Sequence, residues 1–250
     1  SNPGLYWTHN DSGDGPFIYA FDENGERRGV WRVTGAKARD WEAIAAGPGP
    51  EANRNYLYVG DIGDNSERRA EIVVYRFPEP TITALDAEST KRQPSFTEAA
   101  ESISLRYPDG SHDAETLLIH PNTGNLYIVT KGSFANPHVY EGAAPLRSAQ
   151  PVTLKHIAEL HVPAIFGGMI TDGSISPDGS RVALCDYLQG YELVLAKPKA
   201  DFDTIWKQPF TIIALGSRPQ GEAITYRLDG RALLATSEGL PTPLIEIVRR

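Results

Sequence analysis

The sequence predicts an all-β fold, a β-propeller in which four-stranded antiparallel blades surround a central channel. Three observations predict it: similar segments recur along the chain, turn-forming dipeptides separate short apolar runs, and no stretch with a helical period competes. Five blades are visible, and a sixth is expected if the chain is truncated at an end. Residues 1–250 then form a single domain, which is an ordinary size for one all-β unit.

The first observation is a pair of short strands that occurs five times. The first strand of each pair is an apolar run of about six residues, and the residue that closes it is charged. The closing residues are Asp11, Asp61, Lys131, Asp186 and Glu238. The predicted second strands cover residues 17–21, 72–77, 138–140, 191–195 and 244–248. Further strands are predicted at 29–33, 102–107, 152–160 and 210–215. The first unit lacks its innermost strand and the last unit lacks its outermost strand.

The second observation is the chemistry of the turns. Ser176–Gly179 and Asp229–Gly230 each precede an apolar run. Aspartate accepts hydrogen bonds inside a tight turn and glycine tolerates a positive φ, so these segments are predicted β-hairpins. The 23 glycines and 19 prolines are spread along the chain, which favours many short strands over a flexible linker.

One position of the repeat is always acidic. When the strand that opens each of the last four units is aligned, the acids in its third position are Glu42, Glu115, Asp172 and Glu222. The opening strand of a blade is the innermost, so these side chains are predicted to point into the channel at equivalent heights. Four ionised acids there would repel one another unless a cation, protonation or nearby basic side chains offset the charge.

A divalent cation is the simplest offset, and these four acids are its predicted ligands. Ca²⁺ is favoured because it accepts six to eight oxygen ligands in loose geometry; Mg²⁺ and Mn²⁺ are alternatives. Two other interpretations stay open. The acids can accept hydrogen bonds from backbone amides at the strand starts, or they can contact a substrate without a metal.

The charged residues that close the apolar runs form a second predicted ring at the same mouth of the channel. Two of them belong to a repeated Asp-x-Gly-Asp segment, Asp11–Asp14 and Asp61–Asp64. The alternative is that these segments only stabilise turns. With a neighbouring histidine, the ring supplies the predicted substrate-binding residues, which are His9, Asp11, Asp61, Lys131, Asp186 and Glu238.

His112 and Glu115 are the predicted catalytic residues. An imidazole with an ordinary pKa near 6.5 can take a proton from water or a hydroxyl at neutral pH, and His112 directly precedes Asp113-Ala114-Glu115. His9 is the other candidate base. Lys131 is the one basic member of the second ring, and it can neutralise Glu115 or bind an anionic substrate group.

The Ser176–Gly179 turn followed by Arg-Val-Ala-Leu resembles the hairpin of YVTN-type, NHL-type and gluconolactonase-like propellers. The segment Trp7–Asp14 resembles one found in uncharacterised bacterial extracellular propellers. The resemblance covers nearly the whole chain as architecture. It implies a channel metal for the gluconolactonase-like type and a secreted or periplasmic location for the extracellular type.

Composition limits the partners. A net charge of −8 and a pI near 5.3 argue against nucleic-acid binding, because that binding needs basic side chains at the phosphates. No apolar stretch approaches the roughly 20 residues of a membrane helix, so no membrane span is predicted. Cys185 is the single cysteine, so it forms no disulfide within the chain. The chain is expected to be a monomer.

Two functions of different class remain. The first is a metal-dependent hydrolase of lactone or phosphoester substrates. The second is a non-catalytic extracellular propeller that binds a glycan, peptide or protein on its loop face, next to the channel. Exposed aromatic residues would favour the second, and the candidates are Phe134, Phe166, Tyr187 and Tyr191. A small molecule or glycan is the expected ligand in either case.

Overall fold

The structure is a computed structural model that describes residues 2–133, 135–147, 149–164, 168–198, 200–239 and 241–248. It confirms the predicted fold: five small, mostly antiparallel sheets surround a common axis as the blades of a five-bladed propeller. Two short 3-10 helices, Ala84–Glu88 and Phe202–Lys207, lie outside the blades. In the described part of the chain, no helix has both the length and the apolar character needed to cross a membrane.

The strands follow the predicted repeat closely. Residues 5–106 contain the strands β1 (Leu5–His9), β2 (Phe17–Asp22), β3 (Arg27–Arg32), β4 (Trp41–Pro48), β5 (Asn55–Asp61), β6 (Ile72–Pro78), β7 (Ser95–Phe96) and β8 (Glu101–Arg106). The next segment contains β9 (Ala114–Ile119), β10 (Leu126–Thr130), β11 (His138–Gly142), β12 (Val152–Thr153) and β13 (Lys155–Glu159). The remaining strands are β14 (Asp172–Ile175), β15 (Arg181–Cys185), β16 (Gly190–Val194), β17 (Thr211–Ile213), β18 (Gly221–Tyr226), β19 (Ala232–Ser237) and β20 (Ile245–Val248).

The strand order defines five blades. Blade 1 has the order β1-β2-β3-β7 and blade 2 the order β4-β5-β6-β8-β12. Blades 3, 4 and 5 have the orders β9-β10-β11-β13, β14-β15-β16-β17 and β18-β19-β20. As predicted, among the described residues blade 1 has no strand inside β1 and blade 5 has none outside β20. The innermost strands of the other four blades, β4, β9, β14 and β18, line the channel.

Two short parallel strands connect neighbouring blades. β7 belongs to the chain segment of blade 2 but pairs with β3 of blade 1, and β12 comes from blade 3 but pairs with β8 of blade 2. The single strand predicted at 152–160 is therefore two strands that serve different blades. The chain changes partner at Leu154, which is buried and donates its N–H to the Arg106 carbonyl at 2.8 Å.

Apolar side chains fill the interfaces between successive blades. Four hydrophobic clusters join blade 1 to 2, 2 to 3, 3 to 4 and 4 to 5. Residues of neighbouring blades that share a cluster include Ile18 and Trp41, Ile103 and Leu117, Tyr127 and Leu184, and Ala183 and Leu233. The hairpin glycines have the predicted positive φ, with 73° at Gly179 and 67° at Gly230. This packing holds the innermost strands in place, and with them the starts of those strands at one end of the channel.

Candidate functional site

We call the end of the channel at which β4, β9, β14 and β18 begin the channel mouth. Glu42, Glu115 and Glu222 are each the second residue of an innermost strand, and Asp172 is the first residue of β14. All four side chains are partly buried. The charges of Glu115 and Glu222 raise the pKa of other members, so the acids lie close enough to interact within one channel.

Each of the three glutamates occupies a β-bulge. In β4, Trp41 pairs with Asp61 and Ala43 pairs with Gly60, which leaves Glu42 as the extra residue. The ladders of β9 and β18 shift register in the same way at Glu115 and Glu222. A bulge re-aims the side chain of the extra residue. The bulge that recurs in these three strands therefore changes the direction of the glutamate side chains relative to their strand neighbours.

The tightest group of carboxylates at the channel mouth is a three-carboxylate cluster formed by Asp11, Asp40 and Glu42. One oxygen from each side chain lies within 4.8 Å of the others. Asp11 follows β1 of blade 1, whereas Asp40 and Glu42 flank the start of β4 in blade 2. The cluster thus joins a residue predicted to bind substrate, a residue predicted to bind metal, and Asp40, which was not predicted.

Burial and mutual repulsion change the protonation of this cluster. Burial is the main reason that the pKa of Glu42 is raised to about 9, and the charges of Glu115 and Asp11 add to it. The pKa of Asp40 is also raised, first by burial and then by Asp11. At neutral pH and without a cation, Glu42 therefore holds a proton.

The backbone at Gly63 supports the cluster from one side. A β-carbon on Gly63 would lie 2.4 Å from Glu42 Oε1 and 2.6 Å from Asp40 Oδ2, distances that real β-carbons do not show. The Gly63 N–H also donates to the Asp40 carbonyl at 3.2 Å. Glycine at the third position of the Asp61–Asp64 segment thus leaves room for two carboxylates.

Lys131 forms an ion pair with Glu115 inside the channel mouth. Only 15% of the Lys131 side chain and 12% of the Glu115 side chain are exposed. Burial raises the pKa of Glu115 to about 7, although Lys131 opposes the shift. Burial opposes a rise in the pKa of Lys131, but Glu115 raises it above its ordinary value. The Lys131 ammonium also lies 5.9 Å from the centre of the Tyr187 ring.

Asp172 and Glu222 make local hydrogen bonds. Asp172 Oδ2 accepts from the Ile224 backbone N–H at 2.9 Å, and this bond joins the innermost strands of blades 4 and 5. Burial raises the pKa of Asp172 to about 7. Glu222 accepts from the Gln220 side chain at 2.7 Å, and burial raises its pKa as well. Both acids belong to the channel mouth but lie outside the three-carboxylate cluster.

The second predicted ring divides into two groups. Asp61 is buried in an ion pair with Arg69 at 2.8 Å and accepts the backbone N–H of Arg39 at 3.0 Å. Asp186 is also buried and accepts from the backbone of Leu188 and Gln189 at 2.8 and 2.7 Å. These two carboxylates accept hydrogen bonds that hold loops.

The rest of the second ring stays at the channel mouth. Asp11 and Glu238 are exposed, and each contributes to the raised pKa of Glu222. Lys131 is partly buried beside Glu115. These three residues thus lie near the acids of the innermost strands.

The two candidate bases lie in different surroundings. His9 Nδ1 is 2.9 Å from the Asn10 carbonyl, which can only accept, so Nδ1 carries the proton and Nε2 is left as an acceptor. The His9 ring contacts Trp41 edge-on at 6.2 Å, and burial lowers its pKa. His9 is therefore a neutral imidazole that interacts with the charge of Asp11 and contacts Trp41, the residue between Asp40 and Glu42.

His112 lies in a separate polar network. Its Nε2 is 3.0 Å from Asp109 Oδ1 and 2.8 Å from the Tyr140 hydroxyl. Although His112 is only three residues from Glu115, it faces the outer strands of blade 3. The two candidate bases thus have different partners: Asp109 and Tyr140 for His112, and Asn10 and Trp41 for His9.

Two of the four aromatic candidates belong to the part of the chain that the structure describes. Phe134 and Phe166 lie outside the described residues. Tyr191 is fully buried, and its hydroxyl donates to Asp186. Only Tyr187, beside Lys131, contributes to the channel mouth. Cys185 is buried too, and burial raises the pKa of its thiol to about 12, so it is not a nucleophile at neutral pH.

Comparisons with known proteins return structures only. No protein-family model matches the chain, and no curated protein matches its sequence. The chain is similar to the Dos1 propeller, with 10% identity, a TM-score of 0.43 and coverage of 88% of this chain and 60% of that one. A chain of the nidogen/laminin complex gives 14% identity, a TM-score of 0.45 and coverage of 88% and 67%.

The third similar structure is XC5397 from Xanthomonas campestris, described as a gluconolactonase. It has 12% identity and a TM-score of 0.49, with coverage of 96% of this chain and 70% of that one. The chain thus spans less than two thirds of the first of these structures. At such values the similarities carry nothing about ligand or activity, and the assignment of the fold rests on the five sheets.

Proposed function

We propose that the channel mouth binds one divalent cation through the three-carboxylate cluster of Asp11, Asp40 and Glu42. The observation that carries this proposal is that one oxygen from each of three acids, drawn from two blades, lies within 4.8 Å of the others. A buried carboxylate beside other carboxylates is costly unless protons or a cation offset the charge. The raised pKa of Glu42 reflects this cost.

Ca²⁺ fits this donor set best. Ca²⁺ binds oxygen at about 2.3–2.6 Å, so two oxygens on one ion lie at most about 5 Å apart. Mg²⁺ demands near-ideal octahedral geometry and keeps several waters, whereas Ca²⁺ accepts six to eight oxygen ligands in a loose arrangement. The contact of Gly63 with two of the carboxylates supports the proposal, because it leaves no room for a side chain where they meet.

The activity that this site supports best is hydrolysis of a lactone or phosphoester. A bound cation supplies Lewis acidity to a carbonyl or phosphoryl oxygen. Neutral His9 offers Nε2 to take a proton from a water or hydroxyl. The positive charge of the Lys131 ammonium can bind an anionic substrate group. Glu115, with a pKa of about 7, can hold or release a proton near neutral pH.

A binding propeller without turnover is the second candidate. It is favoured by one observation: Glu115, the predicted catalytic acid, is already held by Lys131 in an ion pair. In that case the cation has a structural role, and a small molecule or glycan binds at the loop face. The resemblance to extracellular propellers supports a secreted or periplasmic location, and we expect the chain to be a monomer.

Thermal unfolding with EDTA, and then with Ca²⁺, Mg²⁺ or Mn²⁺, tests cation binding. A ligand that binds only the folded state must raise the melting temperature. We expect Ca²⁺ to raise it in the wild type and in Glu71→Gln, a control that alters the surface ion pair with Arg106. We expect a smaller rise in Glu42→Gln, because this variant should bind Ca²⁺ more weakly. A wild type that responds to none of the three cations contradicts the proposal.

Assays with lactone and phosphoester substrates separate the two candidates. An enzyme will show turnover that EDTA abolishes and that His9→Gln lowers without loss of the Ca²⁺-induced rise in melting temperature. A protein that binds Ca²⁺ but turns over neither substrate class is the binding propeller. In both cases the cation site is retained, so the assay decides the activity alone.

A further inference from the structure

Histidines collect at one corner of blade 3, away from the channel mouth. The chain has six histidines. His138 begins β11, His156 lies in β13 and His161 follows β13. The ring of His112, which comes from the segment before β9, stacks on the His138 ring with the centroids 6.0 Å apart. β11 and β13 are the two outer strands of the blade, whereas Glu115 is on the innermost strand, β9. With neighbouring strands about 4.8 Å apart, this corner is about 10 Å further from the axis.

His138 and His156 form the closest pair. His138 Nδ1 lies 2.9 Å from His156 Nε2, and the ring centroids are 5.0 Å apart. The pair exists because the β11–β13 ladder shifts register between Val139 and Tyr140, which places His156 opposite Tyr140 and next to His138. Two ring nitrogens that face each other share one proton when no metal is present, so one nitrogen of the pair has a lone pair directed at the other.

The same geometry is close to that of a metal chelate. Two imidazole nitrogens on one tetrahedral Zn²⁺, each at about 2.0–2.1 Å, lie about 3.3 Å apart. The observed 2.9 Å therefore needs to widen by only about 0.4 Å for a metal to replace the shared proton. His156 is exposed and His138 partly so, which leaves the side chains free to make that adjustment.

The surroundings supply an anionic oxygen beside the pair. Glu159 is opposite His138 in the ladder, and its carboxylate interacts with the charges of His161, His138 and His156. The Asn136 amide is 2.6 Å from Glu159 Oε1 and 3.1 Å from His161 Nδ1, so it holds these two groups next to each other. Burial and the neighbouring His156 lower the pKa of His138, which favours the neutral imidazole that a metal requires.

We propose that His138 and His156 bind a transition-metal ion of the Zn²⁺ or Cu²⁺ class, with water, or Glu159 after rotation of its exposed side chain, completing the coordination. Imidazole nitrogen suits these ions, whereas Ca²⁺ prefers oxygen ligands. The site is thus chemically distinct from the proposed cation site at the channel mouth and does not depend on it.

Electron paramagnetic resonance of the full chain with one equivalent of Cu²⁺ tests this proposal, because imidazole ligands give nitrogen hyperfine splitting. We expect two nitrogens in the wild type and in Glu42→Gln, and at most one in His138→Gln or His156→Gln. Zn²⁺ binding measured by calorimetry should weaken at least tenfold in either histidine variant and remain in Glu42→Gln.

Melting temperatures without metal show whether the variants fold, and the exposed positions predict little change. Two results would overturn the proposal. The first is a wild type that binds neither Zn²⁺ nor Cu²⁺. The second is a nitrogen pattern that is unchanged in a folded variant that carries both substitutions. A loss of signal in Glu42→Gln would also overturn it, because the copper would then be at the channel mouth.

Discussion

A β-carbon on Gly63 would lie 2.4 Å from Glu42 Oε1, so a loop backbone and a channel carboxylate occupy adjoining space with no room for a side chain. Gly63→Ala must displace the Glu42 carboxylate or the loop. We expect it to lower the affinity for Ca²⁺ at least tenfold, because the three-carboxylate cluster loses its geometry. Calorimetric titration of Ca²⁺ measures this change.

Gly25→Ala is the matched control. Gly25 has a φ of 77°, and a β-carbon there would meet no atom within 4 Å, so the substitution strains the backbone in a turn remote from the carboxylates. It should lower stability by about 1 kcal/mol and leave the Ca²⁺ affinity unchanged. Equal affinity losses in the two variants would mean that the effect of Gly63→Ala is not local.

Stability should depend on pH in the direction set by raised carboxyl pKa values. Glu42 titrates near 9 and Glu115 near 7 in the folded protein, against 4.5 in the unfolded chain. The folded state holds more protons between these values, so its stability falls as pH rises from about 4.5 towards 9. With EDTA present, the melting temperature should decline from pH 5 to pH 9.

Ca²⁺ competes with those protons, so its stabilising effect should grow as pH rises. The gain in melting temperature on addition of Ca²⁺ should be larger at pH 8.5 than at pH 5.5. A gain that is equal at both pH values would contradict a site whose ligands are protonated in the absence of a cation.

Asp172 should act mainly as a link between blades 4 and 5. Its Oδ2 accepts the Ile224 N–H at 2.9 Å, and an asparagine oxygen can do the same. Asp172→Ala leaves that N–H unpaired and should cost about 1–3 kcal/mol in the free energy of unfolding. Asp172→Asn should cost little, and denaturant unfolding measures both values.

The pH dependence of Asp172→Asn gives a second check. The pKa of Asp172 is raised to about 7, so wild-type stability falls as this group ionises between about pH 4 and pH 7. Asparagine has no such loss. The variant should therefore gain stability relative to the wild type between pH 5 and pH 8. A difference in the free energy of unfolding that does not change with pH would argue against a raised pKa at Asp172.

The ion pair of Asp61 and Arg69 should contribute to stability more than any surface pair. Both side chains are at least 95% buried, and their atoms are 2.8 Å apart. Asp61→Asn leaves the Arg69 charge without its partner and should destabilise the protein by about 3–5 kcal/mol. The surface variant Glu71→Gln should lose less than about 1 kcal/mol. Similar losses in the two variants would show that Asp61 is not structural.

The repeats allowed the fold to be predicted because each blade has the same pattern of apolar runs and turns. The channel position of Glu42, Glu115, Asp172 and Glu222 followed from the same alignment. The exchange of β7 and β12 between blades could not be foreseen, because two-residue parallel strands have no periodicity of their own.

Asp40 could have been found from the sequence. It is an acid two residues before Glu42, at the predicted start of the same innermost strand. By contrast, the burial of Asp61 depends on its ion pair with Arg69. The position of His112 depends on its contacts with Asp109 and Tyr140. These partners are set by tertiary packing, so an aligned repeat gives no sign of them.

Calorimetric titration of Ca²⁺ into the EDTA-treated chain tests the central claim most directly, if it is carried out in two buffers of different ionisation enthalpy. We predict one Ca²⁺ per chain, with release of a proton at pH 7.5 because Glu42 is protonated until the cation binds. Glu42→Gln should bind Ca²⁺ at least tenfold more weakly and release no proton. Absence of binding in the wild type, or unchanged binding in Glu42→Gln, would contradict the proposed site.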